Sequence, residues 1–270
     1  MNNPVRILSL GAGVQSSSLL YMMLDGIIPK ADHAIFADTG WEPAKVYEHL
    51  DYLKGLMETA GIQFHEVSAG NIREDAFSGN RFATMPFYVR TGNGEKGIVR
   101  RQCTHEYKIQ PLLKKQRELA GLKPGQRAKE HLSTTIIGIS YDEIQRMRDA
   151  AFPWIRNEYP LVDRKITRED CIKYAEQHGY RKPPRSACIG CPFKSNEEWR
   201  ILKNEQPEEW EDAVQFDQAL RNPDTKPKRL HGTLFLHKDA TPLTEADLRT
   251  DKEKGIYTLF DQECEGMCGL

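Results

Sequence analysis

Short runs of apolar residues alternate along the chain with segments in which apolar residues recur every three or four positions. The short runs are typical of buried strands and occupy residues 5–8, 33–37, 62–67 and 134–139. The helical pattern is clearest in residues 44–58, whose apolar positions are Val46, Leu50, Leu53 and Met57. This alternation predicts an α/β fold, a Rossmann-like doubly wound parallel sheet with helices on both faces.

A loop of small residues joins the first predicted strand to the first predicted helix. Glycine, alanine and serine let backbone N–H groups approach an anion closely, and the N-terminus of the following helix adds a partial positive charge. The segment therefore predicts a phosphate-binding loop. Its candidate nucleotide-binding residues are Ser9, Gly11, Ala12, Gly13, Gln15, Ser16 and Ser17.

Three kinds of phosphate loop share features with this segment. A Walker A loop requires a lysine before its Ser or Thr, and residues 9–18 contain no lysine. A dinucleotide fingerprint requires a third glycine where Ser16 stands, although Asp38 at the end of the second strand could bind a ribose. The third kind is the pyrophosphate loop, usually Ser-Gly-Gly-x-Asp-Ser, to which residues 11–16 align. A turn that uses glycine only for tight geometry is the alternative without a ligand.

Several further motifs follow the loop in a recognisable order. They are Asp-Thr-Gly-Trp-Glu-Pro at 38–43, Arg-Arg-Gln-Cys-Thr at 100–104, Lys-Ile-Gln-Pro-Leu at 108–112, Gly-Ile-Ser-Tyr-Asp-Glu at 138–143 and Tyr-Pro-Leu at 159–161. With the loop, they resemble the PAPS reductase-like branch of the pyrophosphate-loop ATPases, also called the adenine nucleotide alpha-hydrolase or N-type ATP pyrophosphatase superfamily. The resemblance covers residues 5–195.

The resemblance implies a site for ATP with Mg. The ATP phosphates would lie on residues 11–17, and the remaining nucleotide-binding candidates would be Asp38, Thr39, Gly40 and Gly138. Gln15 stands where the family usually has an acidic residue that helps to hold the metal-bound triphosphate. Asp38 is the natural substitute for that carboxylate.

The resemblance also implies a reaction. ATP would be cleaved between its α and β phosphates, AMP would pass to an oxygen of an acceptor, and a sulfur or nitrogen nucleophile would then displace it. The candidate catalytic residues are Cys103, Arg101 and Lys108, because these cations would neutralise phosphate charge and lower the pKa of the thiol. One alternative is a sulfonucleotide (PAPS or APS) reductase, because the segment around Cys268 resembles part of the C-terminal cysteine motif of those enzymes. The other alternative is a non-catalytic nucleotide-sensing module.

Two close pairs of cysteines predict a metal centre. Cys188 and Cys191 form a Cys-x-x-Cys knuckle, and Cys264 and Cys268 form a second pair. Four thiolates suit either zinc or a 4Fe-4S iron–sulfur cluster. A redox dithiol is one alternative, and Cys103 as a ligand in place of a tail cysteine is another. The sixth cysteine, Cys171, is expected to be a core residue.

Length and composition limit the classes further. The 270 residues predict a nucleotide-binding domain at 1–165 and a mostly helical, cysteine-bearing C-terminal region at 166–270. Scattered glycines at 70–97 predict a mobile loop. The chain has no apolar run long enough to span a membrane and enters a strand without a signal peptide, so we expect a cytoplasmic protein that does not bind membranes.

Charge is distributed unevenly although the formal net charge is only −1. Residues 90–129 contain eleven Lys or Arg, which favours a nucleic-acid acceptor such as tRNA or DNA carrying the target base. A solvated helix face is the alternative. A sulfur donor and a homo-oligomeric partner are compatible with this hypothesis.

Overall fold

A five-stranded parallel sheet forms the centre of the molecule. The computed structural model describes residues 3–78, 85–225, 227, 230–250 and 252–255. Spatial order in the sheet is β3-β2-β1-β6-β7. The strands are β1 (Val5–Leu10), β2 (His33–Asp38), β3 (Gln63–Ser68), β6 (Ser133–Ile137) and β7 (Ile155–Glu158). Because β1 lies between β2 and β6, strand order reverses beside β1, where such sheets bind ligands.

Helices cover both faces of this sheet, as the alternation predicted. They are α1 (Val14–Leu24), α2 (Ala44–Ala60), α3 (Ile72–Ser78), α4 (Gln110–Leu119), α5 (Pro160–Asp163), α6 (Arg168–Gln177), α7 (Asn196–Glu205) and α8 (Pro207–Ala219). A π-helical turn at Thr104–Ile109 runs into α4, and a 3-10 turn at Tyr141–Arg146 follows β6.

Side-chain caps explain where two of the later helices begin. The Thr167 side chain accepts from the Asp170 N–H, the Asp170 carboxylate accepts from the Thr167 N–H, and Ser195 and Glu198 repeat this arrangement. Each pair satisfies backbone donors that the first helical turn leaves without partners. These two capping boxes fix the starts of α6 and α7.

The described residues form four apolar clusters, of which two are large. The first lies under the parallel sheet and includes Cys171 and Ala175 of α6, both fully buried. Cys171 is thus the predicted core residue. The division predicted at residue 165 stays a prediction, but α6 packs against α1 and contributes to the first core.

The second core joins segments that are distant in sequence. A small antiparallel sheet, β5 (Lys96–Ile98), β4 (Tyr88–Arg90) and β8 (Thr233–Phe235), lies on it together with α7 and α8. The glycine-containing segment 70–97, predicted as a mobile loop, instead holds α3 and this hairpin in its described part. No helix in the described residues combines the length and apolar character needed to cross a membrane.

Candidate functional site

A cavity of about 380 Å³ opens where β1 and β6 end. Its floor comes from these two strand ends and from Phe36 and Ala37 of β2, and one wall comes from α4. The cavity therefore lies at the reversal of strand order, beyond the carboxyl ends of the strands.

The small-residue loop forms one rim of the cavity. Ala12 has φ +53°, a left-handed conformation that is rare outside glycine. The Gly11 N–H donates to Ser16 Oγ at 3.1 Å, which folds the loop over the start of α1. The loop thus brings its backbone and the N-terminus of a helix to the same rim, as an anion site requires.

Gly138 supports this loop from the end of β6. A Cβ at residue 138 would lie 2.8 Å from the backbone nitrogen of Ser16 and 3.1 Å from the carbonyl carbon of Gln15. No side chain fits in this space, so glycine allows the end of β6 to pack directly against the loop backbone.

The predicted nucleotide-binding residues divide into two sets. Those that line the cavity are Ser9, Gly11, Gly13, Gln15, Ser16 and Gly138. Ser17 points away from it, since its hydroxyl lies 3.0 Å from His49 Nε2 in the core and both residues are buried. Ala12 is also fully buried. The loop therefore offers one of the two expected serine hydroxyls to the cavity.

The second motif lies beside the cavity rather than on its surface. Asp38 Oδ1 accepts hydrogen bonds from the Gly40 N–H and the Tyr47 hydroxyl, both at 2.9 Å. Gly40 turns the chain with φ +72°. Thr39 is buried and donates to Glu42 Oε1 at 3.1 Å. This motif thus leads from the end of β2 toward the cysteine knuckle.

Cations from several segments line the cavity. They are Lys108, Arg146, Arg148, Arg168 and Arg185. Of these only Lys108 was a candidate from the sequence, because the arginines lie in segments whose proximity no local pattern indicates. Their gathering gives the cavity an excess of positive charge over its two carboxylates, Glu143 and Asp149.

A buried carboxylate and a half-buried thiol meet behind Lys108. Lys108 Nζ lies 3.5 Å from Glu42 Oε1, and Cys188 Sγ lies 3.2 Å from Thr39 Oγ1 and 3.9 Å from Glu42 Oε1. Burial, followed by the Glu42 charge, raises the pKa of the Cys188 thiol. Glu42 Oε2 is buried without a hydrogen-bond partner in the described part of the chain. We call Thr39, Glu42, Cys103, Lys108, Cys188 and Lys194 the thiol chamber.

Two of the three predicted catalytic residues, Cys103 and Lys108, belong to this chamber. Cys103 packs in the second core with Cys188 and interacts with it electrostatically. The Arg101 guanidinium lies over the Phe193 ring, 5.4 Å from its centre. Burial lowers the pKa of the Lys194 ammonium. Sequence reasoning missed Glu42 and Lys194, although Glu42 stands inside a motif that it quoted.

The Cys-x-x-Cys segment packs closely against Trp41. The Cys191 N–H donates to the Cys188 carbonyl at 3.0 Å, and a Cβ on Gly190 would lie 2.2 Å from the Trp41 ring. No three His, Cys, Asp or Glu side chains are placed to hold a metal ion within the described residues. The other predicted ligands, Cys264 and Cys268, lie outside that part. The described residues alone therefore do not complete the predicted cysteine centre.

The fold and cavity together define a Rossmann-like α/β protein with a small-residue loop on the rim of a cation-lined cavity. No family model matches the sequence, and a search of curated proteins also gave no match. Among solved structures, the chain is similar to the U34-tRNA thiolase NcsA from Methanococcus maripaludis with its 4Fe-4S cluster. The identity is 14%, the match covers 84% of this chain and 76% of that one, and the TM-score is 0.43. A similarity this low does not assign a family or a function.

Proposed function

We propose that this protein is an ATP pyrophosphatase-type enzyme that adenylates an acceptor for sulfur or nitrogen transfer. The observation that carries the proposal is the anion loop on the rim of a cation-lined cavity at the reversal of strand order. The cavity has room for a nucleotide, and its apolar wall against α4 suits a base. The loop and the cations suit a triphosphate.

The proposed reaction has two steps. An acceptor oxygen attacks the α phosphorus of Mg·ATP, the bond between the α phosphorus and the bridging oxygen breaks, and pyrophosphate leaves with that oxygen. A sulfur or nitrogen nucleophile then attacks the acceptor carbon, and the carbon–oxygen bond breaks with AMP as leaving group. The protein would hold the reactants in line and neutralise charge on the phosphates.

Lys108 lies between the cavity and the thiol chamber. It lines the cavity and also pairs with Glu42 of the thiol chamber. In the proposed complex its ammonium faces the α phosphate, where negative charge grows during attack. Acceptor and nucleophile would then enter from the side of Cys103 and Cys188. This arrangement supports adenylation of a substrate over simple storage of ATP.

Product analysis tests the proposal. The protein is incubated with Mg·ATP, bulk tRNA or duplex DNA, and sulfide or ammonium, and the nucleotides are separated. We expect AMP and pyrophosphate in equal amounts. ADP and phosphate would contradict the proposal, and unchanged ATP would support a sensing module. In a parallel incubation that replaces ATP with a sulfonucleotide and adds a thiol reductant, release of sulfite would support the reductase.

A matched pair of lysine variants locates the reaction. Lys108→Gln should lower AMP formation about 100-fold, the usual effect of losing one preorganised group at a developing charge. Lys173→Gln removes an exposed lysine of α6 and should change nothing. Equal rates in the two variants would place the chemistry elsewhere.

We also propose that Cys188, Cys191, Cys264 and Cys268 hold one iron–sulfur or zinc centre, with Cys103 as the alternative ligand. The acceptor is proposed to be a nucleic acid, since exposed cations lie along residues 96–129. Both proposals have their tests in the Discussion.

A further inference from the structure

The loop lacks a carboxylate at residue 15, yet the structure places one against it. Gln15 Nε2 donates to Glu143 Oε2 at 3.2 Å and lies 3.5 Å from Ser140 Oγ. Glu143 lies in the 3-10 turn that follows β6, and its side chain lines the cavity. The two residues are 128 positions apart in sequence, so only the fold brings them together.

Glu143 is held from two sides but keeps one oxygen available. Arg146 Nη1 contacts Glu143 Oε2 at 2.6 Å, on the same oxygen that Gln15 reaches. Among the described residues, Oε1 accepts no hydrogen bond. The side chain is 12% exposed, and it opens onto the cavity rather than bulk solvent.

The identity of residue 15 follows from this neighbour. An Asp or Glu at residue 15 would bring a second carboxylate close to Glu143, and two like charges so near one another cannot both stay ionised without a cation between them. Gln15 instead donates a hydrogen bond and holds Glu143 in place. The carboxylate thus stands at residue 143, and the residue at position 15 is a neutral donor that pairs with it.

The sequence suggested Asp38 as the carboxylate that replaces the acidic residue at position 15, but Asp38 is less well placed than Glu143 to reach a nucleotide in the cavity. Its Oδ1 is occupied by the Gly40 N–H and the Tyr47 hydroxyl, and Asp38 does not line the cavity. Mg²⁺ bound with a nucleotide needs only one or two protein carboxylates, because phosphates and waters fill its other positions. One carboxylate on the rim therefore suffices.

We propose that Glu143 supplies the carboxylate that faces the Mg²⁺ of bound Mg·ATP, in place of an acidic residue at position 15. The inference rests on the proposed function, since it concerns how the same cavity holds ATP. When Mg·ATP binds, Glu143 turns toward the metal, and Arg146 exchanges its carboxylate partner for a phosphate oxygen. Arg146 lines the same cavity, so the exchange needs only a change of rotamer.

Four variants test the pair: Glu143→Gln, Gln15→Glu, the double variant with both changes, and Asp142→Asn as control. Asp142 is an exposed carboxylate on the same turn that does not line the cavity, and it accepts from the backbone N–H of Arg168. ATP affinity is measured by calorimetry with Mg²⁺ and with EDTA, and bound Mn²⁺ is counted by electron paramagnetic resonance in the presence of ATP. Circular dichroism confirms that each variant is folded.

We expect Glu143→Gln to lose about tenfold in Mg²⁺-dependent ATP affinity, the effect of one charge-assisted contact. Gln15→Glu should also weaken ATP binding, through repulsion, and the double variant should recover most of the loss because it restores one carboxylate. Asp142→Asn should match the wild type. Unchanged Mg²⁺ dependence in Glu143→Gln, or a double variant no better than either single one, would overturn the inference alone. Wild-type protein that binds no ATP under any condition would overturn the proposed function as well.

Discussion

A single methyl group at residue 138 is expected to displace the anion loop. A Cβ there would meet the Ser16 nitrogen at 2.8 Å, and backbone cannot give way as a flexible side chain does. Gly138→Ala should therefore weaken ATP binding at least about tenfold, in line with loss of one or two backbone contacts. Calorimetry with Mg·ATP measures the change.

Gly55→Ala provides the matched control for Gly138→Ala. Gly55 lies inside α2, and a Cβ there meets nothing within 4 Å. Alanine should leave ATP binding unchanged and stabilise the helix by up to about 1 kcal/mol. Equal ATP affinities for both variants would show that the loop does not bind the nucleotide.

His49 gives the fold a dependence on pH. It is 1% exposed and contacts Ser17, and burial lowers its pKa from the ordinary 6.5 to about 4. Between these values the unfolded chain binds a proton that the folded chain does not, so stability falls as pH drops from 6.5 to 4. The loss can reach about 3 kcal/mol.

Urea denaturation of wild type and His49→Gln at several pH values measures this effect. The variant lacks the titrating ring, so the difference in unfolding free energy between the two proteins should shrink as pH falls through this window. The exposed His231→Gln is the control and should follow the wild type. Parallel curves for wild type and His49→Gln would contradict the assignment.

At the scale of elements, the basic stretch separates into structural and exposed cations. The Arg117 guanidinium donates to the carbonyls of Lys123 and Gln126 and lies over the Trp154 ring. Lys115 pairs with Glu118 at 2.7 Å. Replacing these two residues would disturb α4 itself, so they are unsuitable for measuring contacts with nucleic acid.

The exposed cations around α4 are the better test of a nucleic-acid acceptor. They are Lys114, Lys123, Arg127 and Lys129. Changing all four to Gln should flatten the log–log dependence of tRNA affinity on salt by about 3, if each cation neutralises one phosphate. Fluorescence anisotropy at several salt concentrations gives the slope, with ATP affinity measured in parallel.

A control variant removes the same number of exposed positive charges, four, from other parts of the surface. These are Lys173, Lys182, Lys203 and Lys238. Their replacement should leave the salt dependence of tRNA affinity unchanged, because these lysines lie away from the surface that is expected to contact the tRNA phosphates. Equal flattening in both variants, or no salt-dependent binding by the wild type, would favour a small-molecule acceptor.

At the scale of the whole molecule, the predicted metal centre would connect the C-terminal cysteines to the knuckle. Cys188→Ala should lower metal content and thermal stability together, since metal binding contributes to folding free energy. Cys171→Ala removes a core thiol and should keep the metal. Elemental analysis and an absorbance spectrum after anaerobic purification measure the content and separate zinc from iron–sulfur.

The double variant Cys264→Ala, Cys268→Ala decides which cysteines take part. We expect it to lose the metal. Full occupancy in this variant would contradict the four-cysteine set and point to Cys103, which lies near Cys188 in the second core.

Much of the sheet was predictable because its signals are local. Short apolar runs mark β1, β2, β3 and β6. The inner strands β2 and β6 are buried along most of their length, so they carry no polar alternation, whereas β3 lies at the sheet edge and has no buried residue. The strand β7 and the hairpin of β4 and β5 were missed, since three or four residues of mixed polarity give no period to detect. Their positions depend on pairing with distant strands.

The sequence by itself determined the small-residue loop between β1 and α1 and the turn at Cys188 and Cys191, because closely spaced residues act through the adjacent backbone. Only the tertiary structure decided that Glu143 faces Gln15, that Glu42 lies beside Cys188 and Lys108, and that Ser17 turns to His49. These contacts join residues up to 146 positions apart. Such pairs form when strands and helices pack, and packing depends on the shape of whole elements rather than on neighbouring residues.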